Sequence, residues 1–202
     1  MTFLFWHTPE WKRYCLAYGG PVIDNNGSEN IIVPLGPESE MLARMRKTRR
    51  ADIRKASLSM QCDIVSEPGV AFAHYQRLHE LDAGRKTRPQ ETFDLMNEWL
   101  GTYGLLFLAL RDEEYIGAAY FAVYGEGAYY FSAARLPGAK GPIGPFLLWK
   151  AMTHLVFRGY RWLDLGREHN AGIGLFKRGF ISRDIVERTR RDGRRPPPLR
   201  RR

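Results

Sequence analysis

Three short apolar segments follow one another in the middle of the chain, and a tight polar turn separates each from the next. The segments cover residues 105–110, 115–124 and 128–134, with RDEE in the first connection and Gly-Glu-Gly in the second. Connections this short join antiparallel strands, because a parallel crossover needs a dozen or more residues. The sequence therefore predicts an antiparallel three-stranded sheet at the centre of the fold.

The segments on either side of these strands alternate between helical and strand patterns. Apolar residues recur at helical spacing over 70–83, 90–101 and 145–158, a short buried strand is predicted at 162–165, and a last helix and strand are predicted within 171–187. Hairpins followed by a strand–helix–strand crossover imply a mixed sheet with helices on both faces. We predict an α/β fold built on a mixed, mostly antiparallel sheet.

A strongly basic helix is predicted ahead of this unit. Ser39 is placed to cap it, and apolar residues recur at helical spacing up to Ala56. Seven lysines and arginines between 44 and 55 occupy its other face. Short strands are predicted before and after this helix, at 30–35 and 62–66.

Charge and composition divide the chain into three regions. The net charge is +9, and residues 183–202 hold nine arginines against three acidic residues in a Pro/Arg-rich sequence that cannot form a packed element. We expect a disordered basic tail there. Residues 41–182 form the predicted main domain, and 1–40 read as the end of a preceding unit.

Composition also excludes several classes of protein. Hydrophobic residues make up 44% of the chain, which indicates a globular protein. No apolar run reaches the roughly 18 residues that span a membrane, and the N-terminus lacks the basic region of a secretory signal. Cys15 and Cys62 stand apart from each other, and the histidines are scattered, so we predict no metal site and expect a reducing, cytoplasmic location.

Motifs carried by these elements point to a family. They are KTRRADIRKA at 47–56, LHELDAGRKTRPQETFDL at 78–95, YIGAAYFAVYGEGAYYFSAA at 115–134, and then GPIGPFLLWKAM, RGYRWLDLG and GIGLFKRGF. In this order and spacing they resemble the Fem-like branch of the GNAT acyltransferase superfamily. The resemblance implies a single GNAT-type domain in which two adjacent parallel strands, here 128–134 and 162–165, splay to admit an extended acyl donor.

A loop between the strand at 128–134 and the next helix is suited to bind the phosphates of that donor. A helix N-terminus favours anions, glycines permit close backbone approach, and basic side chains add charge. The predicted cofactor-binding residues in this loop are Arg135, Gly138, Lys140, Gly141 and Gly144. The loop resembles the superfamily's pyrophosphate loop, but Lys140 stands where that loop has a small residue, and the two prolines nearby remove backbone donors.

Three residues are predicted to act at the reaction centre. The resemblance implies that Lys177 stabilises the charge on the tetrahedral intermediate and that Phe176 packs beside the donor. Asp164 ends a buried strand, where open sheets place ligand contacts, and would orient the acceptor amine or pair with an arginine. Tyr129 and Tyr130 alternate faces, and Tyr130 is the predicted proton donor to the leaving group.

The resemblance implies that the loop between the helices at 70–83 and 90–101 borders the acceptor pocket. Arg85, Lys86 and Arg88 lie on it and would bind a carboxylate or phosphate. No Ser/His/Asp or Cys/His nucleophile pattern is evident in the sequence. Direct attack of an amine on the acyl carbon is therefore the simplest mechanism.

Three functions remain open at this point. The first is N-acyl transfer from acyl-CoA, such as acetyl-CoA, to an amine of a small molecule or a cell-envelope precursor. The second is Fem-type transfer from aminoacyl-tRNA to a peptidoglycan precursor, in which the basic helix and tail would contact RNA. The third is a non-catalytic nucleic-acid-binding module. Because Fem-like proteins usually carry two tandem domains, a fragment, an inactive copy and an assembly with a partner chain, such as a homodimer, are also open.

Overall fold

The computed structural model describes residues 2–27 and 29–181, so the predicted basic tail and the strand expected near 182–187 lie outside the described residues. A short 3-10 helix, Leu4–His7, precedes the α-helices. These are α1 (Pro9–Tyr18), α2 (Glu38–Arg44), α3 (Lys47–Ser57), α4 (Ala71–Ala83), α5 (Gln90–Glu98), α6 (Ile143–Phe157) and α7 (Ala171–Arg178). The strands are β1 (Ile32–Pro34), β2 (Gln61–Val65), β3 (Gly104–Arg111), β4 (Glu114–Tyr124), β5 (Gly127–Arg135) and β6 (Trp162–Asp164). No described helix has both the length and the apolar character needed to cross a bilayer.

The strands form one mixed sheet in the order β1-β6-β5-β4-β3-β2. Neighbouring strands are antiparallel except β5 and β6, which are parallel and are connected through α6. Both predicted hairpins are present, and Asp112 and Glu113 turn the first of them with positive φ angles of 50° and 61°. The predicted fold class is confirmed.

Helices cover both faces of the sheet. Phe107 and Phe121 point to the face that carries α3 and α6, whereas Leu106 and Tyr120 point to the face that carries α4 and α5. Because both faces are buried, β3 reads as the unbroken apolar run LLFLAL instead of alternating with polar residues. For this reason the sequence indicates a strand at 105–110 through the length of the segment and the turn that follows it, and not through alternation of apolar and polar residues.

The segment before α2 is part of the same core. Trp6 is 1% exposed and packs edge-on against Tyr129 of β5, with ring centroids 4.8 Å apart. β1 extends the sheet by pairing with β6. The described residues of 1–40 therefore share the core of the main domain, and their origin as the end of a preceding unit stays a prediction.

The prediction of one continuous basic helix from Ser39 was wrong at its centre. Met45 and Arg46 are extended, with ψ angles of 149° and 146°, and separate α2 from α3. Tertiary contacts stabilise this break, because the Arg46 amide donates to Gly179 O at 3.1 Å. The Arg50 guanidinium also donates to two carbonyls at the end of α2, at 3.0 and 3.1 Å.

Candidate active site

β5 and β6 pair over only three residues and then separate. Residues 127–129 lie opposite 162–164, and beyond this point the Leu165 amide donates to Ile31 O at 2.9 Å, so the chain follows β1 and leaves β5. Within the described chain, residues 130–135 have no strand neighbour on that side. An unpaired strand edge of this kind offers backbone groups to an extended, amide-bearing ligand.

Two glycines allow the strands to meet and then part. A Cβ added to Gly127 would lie 2.1 Å from the Trp162 ring, so only glycine permits the close parallel contact. Gly166 has a φ of 68°, and a Cβ there would lie 2.9 Å from the Tyr129 hydroxyl. The backbone can therefore turn away after β6 while staying close to β5.

A β-bulge at Phe131 changes the direction of the side chains along the open stretch of β5. The partners on β4 pass from Tyr120–Ser132 to Phe121–Tyr130, which leaves Phe131 without a partner. The extra residue brings Ser132 to the α4 face, although simple alternation would place it on the same face as Tyr130. Alternation in the sequence does not reveal this shift.

Lys177 is buried at the point where the strands part. It is 6% exposed, and its Nζ donates to Arg167 O at 2.7 Å. Burial lowers its pKa, while Asp164 and Glu168 act in the opposite direction. An ammonium has three N–H donors, so this single backbone acceptor leaves others for an oxygen that gains charge.

Asp164 is held by two amides beside this lysine. It is 2% exposed; Oδ1 accepts from the Gly166 amide at 2.7 Å and Oδ2 accepts from Asn30 Nδ2 at 2.8 Å. The carboxylate is therefore paired with these two N–H donors, and not with the arginine that the sequence left open as its partner. Burial raises the pKa of Asp164 to about 6, against the hydrogen bonds from Asn30 and Gly166 and the charge of Lys177.

The raised pKa of Asp164 makes the stability of the protein depend on pH. The carboxyl binds its proton more tightly in the folded state (pKa about 6) than at its ordinary value of 3.8, so this contribution is full below pH 3.8 and is lost as the pH rises through 6. Relative to Asp164→Asn, the wild-type free energy of unfolding should therefore fall by about 2–3 kcal/mol between about pH 4 and 7. Urea titrations of both proteins at several pH values would measure this difference in the free energy of unfolding. If the difference between the two proteins does not change with pH, the pKa of Asp164 is not raised.

Tyr129, and not Tyr130, faces Asp164 and Lys177. Tyr129 lies opposite Asp164 in the parallel pair, and burial raises its pKa to about 12. Tyr130 lies on the other face of the sheet with its ring 5.3 Å from Phe121, and burial raises its pKa further. The structure therefore does not bring the predicted proton donor Tyr130 together with Asp164.

The predicted phosphate loop is exposed but poor in backbone donors. Arg135, Gly138, Lys140 and Gly141 are all exposed. The Ile143 amide donates to Gly141 O at 3.0 Å and Pro145 has no N–H, so Gly144 supplies the remaining amide of the first turn of α6. Phosphates bound here would depend mainly on basic side chains, namely Arg135, Lys140 and Arg111, whose guanidinium lies beside Gly141.

Acidic groups border the same loop. Asp112 and Glu114 line a cleft together with Gly138, and Asp82 Oδ2 accepts from the Arg135 amide at 3.2 Å. Arg111 lines the same cleft and offsets part of the charge of the first two carboxylates. The Asp82 carboxylate accepts from the Arg135 N–H, which is the last amide of the open strand edge. The edge that is available to a ligand therefore ends at residue 134.

Phe176 lies beside the first turn of α6. A Cβ added to Gly144 would be 3.4 Å from its ring, and the Arg49 guanidinium stands 5.0 Å from the ring centroid. Arg49 Nη2 also donates to Phe176 O at 3.2 Å. The structure thus brings together two of the predicted donor-binding residues, Gly144 and Phe176, and ties them to the basic helix α3.

Of the three basic residues predicted for the acceptor, only Arg88 points toward β5. Arg85 and Lys86 are exposed. Arg88 donates through Nη2 to Ser132 Oγ at 3.4 Å and through Nη1 to Tyr14 Oη at 3.1 Å. Its guanidinium is therefore fixed next to the open stretch of the strand.

A serine–histidine pair that sequence reasoning missed lies at this position. His79 Nε2 is 3.0 Å from Ser132 Oγ, and Nδ1 is 2.9 Å from Thr87 Oγ1. The two residues are 53 positions apart, and only the bulge turns the serine toward α4, so neither spacing nor periodicity signals the pair. In residues 2–27 and 29–181, no three His, Cys, Asp or Glu side chains are grouped closely enough to hold a metal ion.

Comparisons with known proteins agree with this geometry. A family model described as an acetyltransferase (GNAT) domain matches residues 42–178. FemX superposes with a TM-score of 0.60 at 13% identity, covering 75% of this chain and 57% of FemX. The C-terminal domain of a putative lysylphosphatidylglycerol synthetase from Agrobacterium fabrum superposes with a TM-score of 0.55 at 16% identity, covering 80% of this chain and 56% of that one.

A third similar structure is an aminoglycoside acetyltransferase from an uncultured soil metagenomic sample, with a TM-score of 0.51 at 14% identity and coverage of 71% of this chain and 95% of that one. A search of curated proteins gives no sequence match. The chain spans less than two thirds of FemX and of the synthetase domain, and at these identities the likenesses show the fold alone. The family model covers more than half of the chain, and the mixed sheet with its separating strands agrees with it; this chain belongs to the GNAT acetyltransferase-domain family.

Proposed function

We propose that this protein is an N-acyltransferase that moves an acyl group from an acyl-CoA donor, such as acetyl-CoA, to an amine of a small molecule or cell-envelope precursor. The observation that supports it most is the separation of β5 from β6 beside the buried Lys177. A neutral strand edge and a desolvated cation are what a carbonyl-bearing chain needs when its oxygen gains charge.

In this proposal the residues around the separation of β5 and β6 have distinct tasks. The donor's amides pair with the edge at 130–134, Phe176 packs beside the donor, and the Lys177 ammonium stabilises the oxyanion. The amine attacks the acyl carbon directly, so a C–N bond forms and gives a tetrahedral oxyanion, from which the bond to the leaving thiolate then breaks. Asp164, predicted to orient the amine, instead holds the backbone after β6 in position beside Lys177 through its bonds to Asn30 and Gly166. We also propose a cytoplasmic location, in keeping with the free thiols of Cys15 and Cys62.

Calorimetry with acetyl-CoA tests the donor. We expect wild-type protein to bind acetyl-CoA. The double replacement Arg135→Ala, Lys140→Ala should weaken binding about tenfold, or about 1.4 kcal/mol, because basic side chains must hold the phosphates where the first turn of α6 has few free amides. Lys12→Ala, which removes an exposed lysine from α1, is the matched control and should leave binding unchanged. Absence of binding to wild-type protein would contradict the acyl-CoA donor.

The second candidate is an aminoacyl-tRNA donor. The exposed face of α3 carries Lys47, Arg54 and Lys55, which could meet phosphates, and the overall fold is similar to that of FemX. Binding of tRNA that weakens steeply between about 50 and 200 mM salt, without acetyl-CoA binding, would favour this candidate. α3 has no aromatic residue on which a base could stack, so we do not propose a single-strand-binding module.

A further inference from the structure

We propose that Ser132 and His79 remove the proton from the acceptor amine, with the Ser132 hydroxyl receiving it while passing its own proton to His79 Nε2. The inference rests on the proposed acyl transfer. It adds a proton path separate from the predicted residues, since Lys177 is a donor, the Asp164 oxygens already accept from Asn30 and Gly166, and Tyr130 lies on the other face of the sheet.

Ser132 is positioned to meet an amine that attacks at the strand edge. It lies within the open stretch of β5, immediately after the bulge, and is half-buried. Its Oγ is 3.0 Å from His79 Nε2 on α4. The acceptor side of the fold therefore presents a hydroxyl that is backed by an imidazole.

The hydrogen bonds around His79 define which nitrogen accepts the proton. An arginine has no lone pair, so Arg88 Nη2, 3.2 Å from His79 Nε2, must donate to it. Nε2 is therefore the unprotonated nitrogen, and Nδ1–H donates to Thr87 Oγ1 at 2.9 Å. Arg88 Nη2 also donates to Ser132 Oγ, at 3.4 Å, and the Ser132 hydroxyl, 3.0 Å from Nε2, shares the Nε2 lone pair with Arg88 by directing its own hydrogen at it. A base held by a third group next to a hydroxyl is the arrangement that proton transfer requires.

The surroundings keep the imidazole neutral. Burial and the charge of Arg88 lower the pKa of His79 to about 4, while Asp82 and Glu80 act in the opposite direction. The Tyr75 ring packs against it at 5.6 Å and is itself fully buried. At neutral pH Nε2 is therefore unprotonated, and a proton that it takes up in the relay is soon released to water.

The proton balance of the step is complete. As the amine attacks, the C–N bond forms and the nitrogen becomes positive. That nitrogen loses one proton to Ser132 Oγ, whose own proton moves to Nε2, and Arg88 Nη2 then donates to Ser132 Oγ alone. The bond to the thiolate then breaks, and the imidazolium returns its proton to solvent, where the thiolate takes up a proton. One amide and one thiol result.

The test compares His79→Gln and Ser132→Ala with wild-type protein in acyl transfer from acetyl-CoA to a panel of primary amines, including sisomicin. Glutamine keeps an acceptor for Arg88 and Ser132 but is not basic. We expect each variant to lower turnover about 10²-fold at pH 7. The matched control is His74→Gln on the same helix, an exposed histidine that packs on Tyr115, and it should change turnover less than about twofold.

The dependence on pH separates proton transfer from a structural role. Hydroxide can replace the missing base, so the ratio of His79→Gln to wild-type turnover should rise toward one between about pH 7 and 9. A ratio that stays constant, or turnover at the wild-type level, would overturn this inference alone. A wild-type protein that transfers no acyl group to any amine would overturn the proposed function, and this inference with it.

Discussion

Replacing Lys177 with methionine should reduce acyl transfer by about 10²-fold or more, which is the usual effect of removing one oxyanion donor. The physical reason is its burial at the separation of β5 and β6, where a charge interacts far more strongly than in water. The measurement is single-turnover transfer from acetyl-CoA at saturating acceptor. Lys12→Met, at an exposed position on α1, should behave as wild type.

The same replacement should cost little stability. Methionine fills a similar volume, so the main loss is the hydrogen bond to Arg167 O, worth about 1–2 kcal/mol. The melting temperature should therefore fall by only about 2–8 °C. Turnover within about twofold of wild type would remove Lys177 from the reaction centre. If the variant loses about 10²-fold in turnover and still binds acetyl-CoA, the replacement acts on the chemical step.

Trp6→Ala should destabilise the protein by about 3–5 kcal/mol, because it leaves a large cavity in a closed aromatic cluster. The Trp6 ring is 1% exposed and contacts Phe3, Trp11 and Tyr129, with centroid distances of 5.2, 4.6 and 4.8 Å. Since Tyr129 belongs to β5, the loss should also loosen the strand that carries the open edge. Urea unfolding at 25 °C would give the change in free energy.

A neighbouring residue supplies the control for this variant. Leu4 lies in the same 3-10 helix but is 55% exposed, so Leu4→Ala should change the free energy of unfolding by less than about 0.5 kcal/mol. A loss below about 1 kcal/mol for Trp6→Ala would show that the first residues fold separately from the sheet. That outcome would favour the view that they are the end of another unit.

Part of the candidate site was accessible from the sequence. Asp164 and Lys177 were singled out by their motifs, and the structure places both at the separation of the strands. Arg88 was also predicted at the acceptor side, and its guanidinium reaches β5. Arg85 and Lys86 were grouped with it, but they remain exposed, because a loop sequence does not show which of its side chains turns inward.

Other members of the site depend on contacts between distant segments. Asn30 reaches Asp164 across 134 positions, and His79 reaches Ser132 across 53. Tyr129 rather than Tyr130 faces Asp164 because of the register between β5 and β6, which no local pattern encodes. The sequence analysis chose Tyr130, because alternation places the two tyrosines on opposite faces and does not show which face carries Asp164.

The order of helices and strands, the two hairpins and the mixed sheet were determined by the sequence alone, because periodicity and turn residues act over a few positions. The tertiary structure decided the break at Met45, the bulge at Phe131 and the burial of Lys177. Each of these arises where one element meets another far along the chain, and the free energy of that packing overrides the local preference of the residues involved.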